Sequence, residues 1–358
     1  MYQIRWDKDT RGFLLVDSRE GWVSGEIRPV FFEELDLLGF DRYWSYPRVD
    51  EPLLWAVGGR KYYYEGELVA EAEGGGLFSD PLLKVHHPGL SLEPTAIDAM
   101  VAKNNVLLQG LVQRSLRFIW QTYARYRSKA DIAAVAFSGG KDSLVTLDLV
   151  QRALEPDQFV VVFGDTGMEI RDTYRAVEEA SRWWPHLAFH TARSAKDVLT
   201  TWREMGPPSH IHRWCCAVHK TAPTLLLLRG LVGKESVRAL IFDGVRHEES
   251  VSRSTYRAIM QGGKHGLQTN ARPIMLWSAG EVFLYLFCRR LLLNRAYRYG
   301  VARVGCAVCP MSARWWDLIT WRVYQEDKKR FIDELRLYAA NAGIAPQETD
   351  RYLAEGGW

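Results

Sequence analysis

The stretch Ile132–Ser143, IAAVAFSGGKDS, is followed by Leu144 to Val150, whose apolar positions recur at helical spacing. A short apolar run, a glycine turn and an amphipathic stretch read as strand, turn, helix. Backbone N–H groups in such a turn, with a helix N-terminus behind them, form an anion pocket sized for phosphate. Gly139 and Gly140 let the backbone come close to the anion. Ser138 and Ser143 add hydroxyl donors, and Lys141 adds a point charge. The spacing is not that of a Walker A loop, which needs four residues between its first glycine and Gly-Lys-Ser/Thr.

Outward from this loop the pattern repeats. Phe159 to Phe163 is a second buried strand, ending in Gly164-Asp165-Thr166-Gly167. A helix is predicted from about Arg171 to Trp184, a strand over His186 to His190, and another over Ala239 to Phe242, ending at Asp243-Gly244. Alternating strands and helices predict an α/β fold, a parallel sheet with helices on both faces. Ligands then sit beyond the carboxyl ends of the strands.

Residues 1 to about 95 read differently. Strand-like runs at Gly12–Val16, Leu53–Val57, Lys61–Tyr64 and Leu68–Ala72 alternate with Gly, Pro and Asp turns, and Phe31–Leu38 reads as a short helix. This predicts a small α+β or mostly β N-terminal domain over 1–95. A connecting helix would fill 96–130, the sheet domain 131–311, and a helical extension 312–358. His86-His87 has no spaced partner ligands and reads as a surface loop. A net charge of +3 is too mild to demand a nucleic-acid partner, and no apolar run approaches the ~20 residues of a membrane span. The mixed, charged first residues carry no signal-peptide pattern. Five cysteines, clustered in pairs, then point to a reducing cytoplasm and to a metal or redox role.

Four further groups carry chemistry. Asp165, Thr166 and Gly167 follow a strand in the βα turn next to the phosphate loop, where Asp165 can take a ribose hydroxyl or Mg²⁺. Gly244-Val-Arg246-His-Glu-Glu-Ser-Val-Ser-Arg253 offers two guanidiniums suited to phosphate or sulfate oxygens. Cys215-Cys216 and the later Cys306-Ala-Val-Cys309 are two thiol pairs, with Lys220 just beyond the first. Zinc, a [4Fe–4S] cluster and a redox disulfide all fit four such thiols. Cys288 lies in an apolar helical run and reads as core. Finally, Val282 to Trp316 holds no Asp or Glu but contains Arg289, Arg290, Arg295, Arg298, Arg303 and Arg314, a one-signed stretch suited to a polyanion.

Taken in order, SGGKDS, Gly-Asp-Thr-Gly-x-Glu, Cys-Cys with a following Lys, Gly-x-Arg-x-x-Glu-Ser-x-x-Arg and Arg-x-Gly-Cys-x-x-Cys-Pro resemble the phosphoadenosine phosphosulfate (PAPS) reductase family of the PP-loop superfamily. The resemblance spans about Asp131 to Met311, roughly half the chain. It implies an adenine-nucleotide α-hydrolase-like α/β fold. The two thiol pairs are similar to those of the adenylylsulfate (APS) reductase branch, which implies that Cys215, Cys216, Cys306 and Cys309 ligate one [4Fe–4S] cluster. Those reductases attack the sulfate sulfur with a cysteine near the C-terminus, and no cysteine follows Cys309 here. The thiol would come from a continuation of the chain or from a partner, or the chemistry differs. Cluster-bearing PP-loop relatives insert sulfur into nucleic acids after ATP adenylates the target.

The expected function is therefore a cytoplasmic enzyme of sulfur metabolism. It would bind ATP, APS or PAPS, with or without Mg²⁺, and act as a reductase or an ATP-dependent sulfurtransferase. Ser138, Gly139, Gly140, Asp142 and Ser143 would hold phosphates; Lys141, Lys220, Arg246 and Arg253 would neutralise phosphate or sulfate. An external thiol, sulfur or electron donor is implied, with tRNA or DNA as a further substrate class. The rival readings are a non-catalytic nucleotide- or nucleic-acid-binding subunit and a zinc-stabilised remnant.

Overall fold

The computed structural model describes residues 2–17, 25–262 and 266–356. The chain begins with an antiparallel hairpin, β1 (Gln3–Asp7) and β2 (Gly12–Val16), in register Gln3↔Val16 to Asp7↔Gly12. Next come β3 (Ile27–Val30), α1 (Phe32–Leu38), β4 (Leu54–Val57), β5 (Lys61–Tyr64), β6 (Glu67–Gly76) and β7 (Ser79–Val85). These strands form a five-stranded antiparallel sheet in chain order. One face of it buries Leu35 and Leu38 of α1 against Leu54, Ala56, Tyr62 and Val69.

The 30-residue helix α2 (Ile97–Tyr126) then crosses to the second half. Its buried positions include Met100, Asn104, Leu108, Leu111, Val112, Ser115 and Ile119, a single stripe at steps of three and four. Asn104 is polar on that stripe because its amide completes the hairpin edge: Leu15 N donates to Oδ1 (2.6 Å) and Nδ2 donates to Phe13 O (2.9 Å).

The sheet domain follows as β8 (Ile132–Phe137), α3 (Lys141–Ala153), β9 (Val160–Asp165), α4 (Arg171–Trp183), β10 (Phe189–Arg193), α5 (Val198–Met205), the single turn α6 (Trp214–Cys216), α7 (Ala222–Val232), β11 (Ala239–Phe242), the short α8 (Val251–Ser254), β12 (Ile259–Gln261), β13 (Gln268–Ala271) and α9 (Ala279–Arg289). Its six strands lie in the order β10-β9-β8-β11-β13-β12, all parallel except β12. Alternate residues serve opposite faces. Val135, Phe137, Val161, Leu240 and Phe242 join the core shared with α2, α3, α4 and α9, while Ala134, Val162, Ala239 and Ile241 pack beneath Leu228 of α7. The expected parallel sheet with helices on both faces is therefore present, with a β-rich N-terminal unit beside it.

Three helices close the chain: α10 (Arg314–Val323), α11 (Gln325–Asn341) and α12 (Pro346–Ala354). Phe331, Ile332 and Leu335 of α11 and Leu353 of α12 bury against Trp202 of α5, Trp214 and Cys215. The expected third strand, His186–His190, is displaced to Phe189–Arg193. The reason is local: Leu187 N donates to Trp184 O, so these residues close a turn and both side chains enter the core. Strands β12 and β13 were not foreseen. They are short and polar, and their pairing comes from the neighbouring backbone, not from an apolar pattern. No described helix is long and apolar enough to cross a membrane.

Candidate nucleotide and thiol site

The glycine turn between β8 and α3 sits at the carboxyl edge of the sheet. Gly139 has φ +70°, the left-handed region where glycine carries no Cβ penalty, and Gly140 caps α3. Ser143 Oγ donates to Gly140 O (2.9 Å), accepts from Ser138 N (3.1 Å) and lies 3.1 Å from Ser138 Oγ. The two hydroxyls thus fold the turn onto the first turn of α3. A Cβ on Gly244, just after β11, would stand 2.7 Å from the backbone of Asp142, so only glycine lets these segments touch.

In front of the turn is a cavity of about 480 Å³, within the ~300–1,000 Å³ usual for small-molecule sites. Ser138, Gly140, Asp142 and Ser143 form one end, Lys220, Arg253 and Arg303 reach in from other segments, and Ala136, Val162 and Ile241 of the sheet make an apolar floor. Arg253 and Arg303 both pair with Glu249, Arg303 Nε at 3.0 Å. The pairing holds two guanidiniums ready at the cavity wall.

Lys141 and Arg246 have a different place. Both are buried, and neither lines the cavity; they clamp Asp142 instead. Arg246 Nε donates to Asp142 Oδ1 (2.6 Å) and Lys141 Nζ to Oδ2 (3.0 Å). Burial alone would raise the Asp142 carboxyl, but the two adjacent cations hold it at about 2. Lys141 Nζ also donates to Ala302 O (2.8 Å), and Arg246 donates to Glu248 (2.8 Å) and Glu26 (3.2 Å). Expected as charges on the ligand, these two residues instead fix the loop's carboxylate.

Asp165, Thr166 and Gly167 also lie off this cavity. Asp165 Oδ1 accepts from Gly167 N (2.8 Å) and from Tyr174 Oη of α4 (2.8 Å), and Oδ2 faces Arg193 of β10 at 3.6 Å, so the carboxylate is taken up by the protein. Thr166 turns toward the thiols: Oγ1 donates to Glu169 Oε1 (3.0 Å) and lies 3.5 Å from Cys306 Sγ. Thr166 and Gly167 instead border a small polar cavity with Arg193, His219 and Arg330.

The CxxC loop is tied to this turn. Glu169 and Cys306 form an antiparallel bridge, and Ala307 N donates to Met168 O (2.7 Å). Cys215 and Cys216 approach from α6, which widens into a π-helical turn over Ala217–Thr221; such turns recur at functional sites. The π turn carries Lys220, whose stem crosses Gly164 of β9. The four thiols sense one another. Cys215 is raised by its hydrogen bond to Cys216, by burial, and by the charges of Cys216, Cys306 and Cys309. Cys216 is lowered, first by that same bond, then by Arg213 and Lys220 against the effect of burial. Burial pushes Cys306 and Cys309 up. Among the described residues no group of three or more His, Cys, Asp or Glu converges closely enough to hold a metal ion. The donor set itself is four soft thiols, a type that zinc and iron–sulfur centres share.

Sequence reasoning missed Tyr297 and Asn294. Tyr297 Oη accepts from Lys141 N (3.0 Å), and Asn294 Nδ2 donates to Gly139 O (3.1 Å). Both brace the phosphate loop from more than 150 residues away, and neither lies in a motif. The arginine stretch divides: Arg289 pairs with Asp148 and Arg298 with Glu33, while Arg303 faces the cavity.

Comparison with known proteins places this arrangement. The chain is 35% identical over 216 residues to an uncharacterized protein of Methanocaldococcus jannaschii, covering 60% of this chain and 43% of that one. A second uncharacterized protein of the same organism is 28% identical, with 57% of its length covered, so the chain spans about half the length of these relatives. An adenosine 5'-phosphosulfate reductase of a Geobacillus species is 27% identical over 190 residues, covering 52% of this chain and 77% of that enzyme. Among solved structures, the PAPS reductase of Candida auris matches 56% of this chain and 93% of its own at 15% identity and a TM-score of 0.40. The phosphoadenosine phosphosulfate reductase domain family matches residues 132–312, from the first residue of β8 to just past the CxxC loop. Half of the chain, including both the phosphate turn and the four thiols, falls in that span, and the chain belongs to this family.

Proposed function

We propose that the chain binds an adenine nucleotide in the 480 Å³ cavity and acts on it as an enzyme of sulfur metabolism, with adenosine 5'-phosphosulfate as substrate. The observation that carries the reading is the convergence of the Ser138–Ser143 turn with Lys220, Arg253 and Arg303 on one cavity. Phosphate would sit on the turn's N–H groups and on the Ser138 and Ser143 hydroxyls. The apolar sheet floor would take the base. Arg253 and Arg303 would leave Glu249 to neutralise the sulfate end and the bridging oxygen, which takes the electron pair as the S–O bond breaks and AMP leaves. Asp142, clamped by Lys141 and Arg246, would keep the turn in shape; Asp165, Thr166 and Gly167 would support the thiol side.

Reduction needs two electrons: one phosphosulfate and two thiols give sulfite, AMP and a disulfide. The thiols would come from an external donor. We assign Cys215, Cys216, Cys306 and Cys309 as the residues that would hold a [4Fe–4S] cluster. Such a cluster supplies one-electron transfer. Lys220 lies between the two regions, touching the cavity and acting electrostatically on Cys216 and Cys306. A second reading, ATP-dependent sulfur transfer with a tRNA or DNA substrate, rests on the same phosphate turn, whose N–H groups and hydroxyls would hold the phosphates of ATP equally well.

The test is sulfite release from adenosine 5'-phosphosulfate with a thiol donor, run beside pyrophosphate release from ATP. Sulfite supports reduction. Pyrophosphate alone moves the assignment to ATP-dependent transfer. Neither product from anaerobically purified protein overturns both and leaves the non-catalytic subunit.

A further inference from the structure

A second cavity, of about 980 Å³, lies where the N-terminal sheet meets the family domain. Gly74–Gly76 of β6 form one wall, and segments 300–305 and 309–316 form the other. It lies next to the first cavity, with Arg253, Arg303 and Val304 lining both.

Its charge is one-sided. Arg60, Arg253, Arg303, Arg314 and Arg351 line it, against Glu355 as the one carboxylate among the described lining residues. Arg28 also borders it but is neutralised by Glu34 at 2.6 Å. Arg60 acts electrostatically on the exposed Glu73 carboxylate, and Arg314 lines the cavity beside it. Arg253 and Arg303 share Glu249, and Arg351 pairs with Glu348, so Arg60 and Arg314 are the guanidiniums of this space most open to an anion.

One of them is also a flat surface. The Arg60 guanidinium lies over the Trp315 ring, 4.8 Å from its centroid, and donates to Gly74 O. Trp315 is itself fixed by its Nε1 donating to Gly300 O (3.0 Å). A guanidinium held in this way is a stacking shelf for a planar ring. Gly305 leaves this wall open, since a Cβ there would meet nothing within 4 Å.

We propose that this cavity binds a nucleotide unit, with its base on the Arg60–Trp315 shelf and its phosphate among Arg314, Arg303 and Arg253. The cavity would deliver a second substrate to the first site. The proposal rests on the reading above only in calling this site the second. The unit's chemistry is the same in a free nucleotide and in a single strand of RNA, and the test separates the two sources.

The full chain is titrated against a fluorescein-labelled single-stranded RNA 10-mer, followed by anisotropy, and against AMP by calorimetry. Binding of ATP and of adenosine 5'-phosphosulfate is measured in parallel. Arg60→Ala and Arg314→Ala should each weaken RNA or AMP about tenfold and leave ATP binding unchanged. Arg314→Ala should also lower the slope of log K against log salt for RNA by about 0.7, whereas Arg60→Lys should keep that slope and still lose affinity. RNA binding that AMP displaces only in large excess assigns the strand. Arginine-dependent AMP binding, with no tighter binding of RNA, assigns the free nucleotide. Binding of neither probe, or equal binding by the Arg60→Ala/Arg314→Ala double variant, overturns the proposal. No binding of either ATP or adenosine 5'-phosphosulfate, with RNA binding retained, overturns the first-site reading alone.

Discussion

Asp142 carries two cations on one carboxylate at the root of the phosphate loop. Removing the charge leaves the buried Lys141 without its carboxylate and takes one of three carboxylates from the buried Arg246, so Asp142→Asn should cost about 3–5 kcal/mol in unfolding experiments. The pH dependence has a definite sign. The folded carboxyl titrates at about 2, below its ordinary 3.8, so its contribution is complete above pH 4 and drains away as pH falls toward 2. Denaturant unfolding of the wild type should show that acid limb, and the Asn variant should have it blunted. Ser143 is a smaller case. Its hydroxyl accepts from Ser138 N and donates to Gly140 O, so Ser143→Ala should cost about 1 kcal/mol of stability. The same variant should weaken nucleotide binding about tenfold by calorimetry, since the hydroxyl is also a proposed phosphate donor.

At the scale of elements, the site depends on the turns after β8 and β11 touching one another. Gly244→Ala forces a methyl group against the Asp142 carbonyl and the Ser143 amide, both backbone atoms that cannot rotate away. Nucleotide binding should fall at least tenfold while circular dichroism stays near wild type; unchanged affinity would show that the loop tolerates a shift. These turns were legible in the sequence because each is a local string: glycines, a hydroxyl and a charge after an apolar run. Strands β8 and β11 were legible for the same reason. What lay beyond reach was the direction of side chains. Lys141 and Arg246 stand in motifs beside the ligand edge, yet their charges turn inward because a buried Asp142 is a stronger partner than water. Asp165 bonds its own turn, which a string cannot reveal. Tyr297 and Asn294 were invisible because their contacts with the loop span long sequence separations and follow no spacing rule. Strands β12 and β13 carry no apolar alternation to read.

Across the whole molecule, one apolar core runs from the N-terminal strands into the sheet domain. Ile4, Phe13, Ile27 and Trp55 belong to the same buried cluster as Val135, Leu240 and Phe283. Trp55 stacks edge-on with Phe13 at 4.9 Å and donates to Arg11 O (3.0 Å). Trp55→Ala should cost about 3–5 kcal/mol and lower one shared melting transition. Two separate calorimetric transitions would instead show that the halves fold independently. The Arg246 contact with Glu26 has a further consequence. The same guanidinium holds Asp142 on one side and the segment leading into β3 on the other. A nucleotide that tightens the phosphate loop must then also tighten the hold on the N-terminal segment, and by thermodynamic reciprocity anything that frees that segment must loosen the grip on nucleotide by an equal factor.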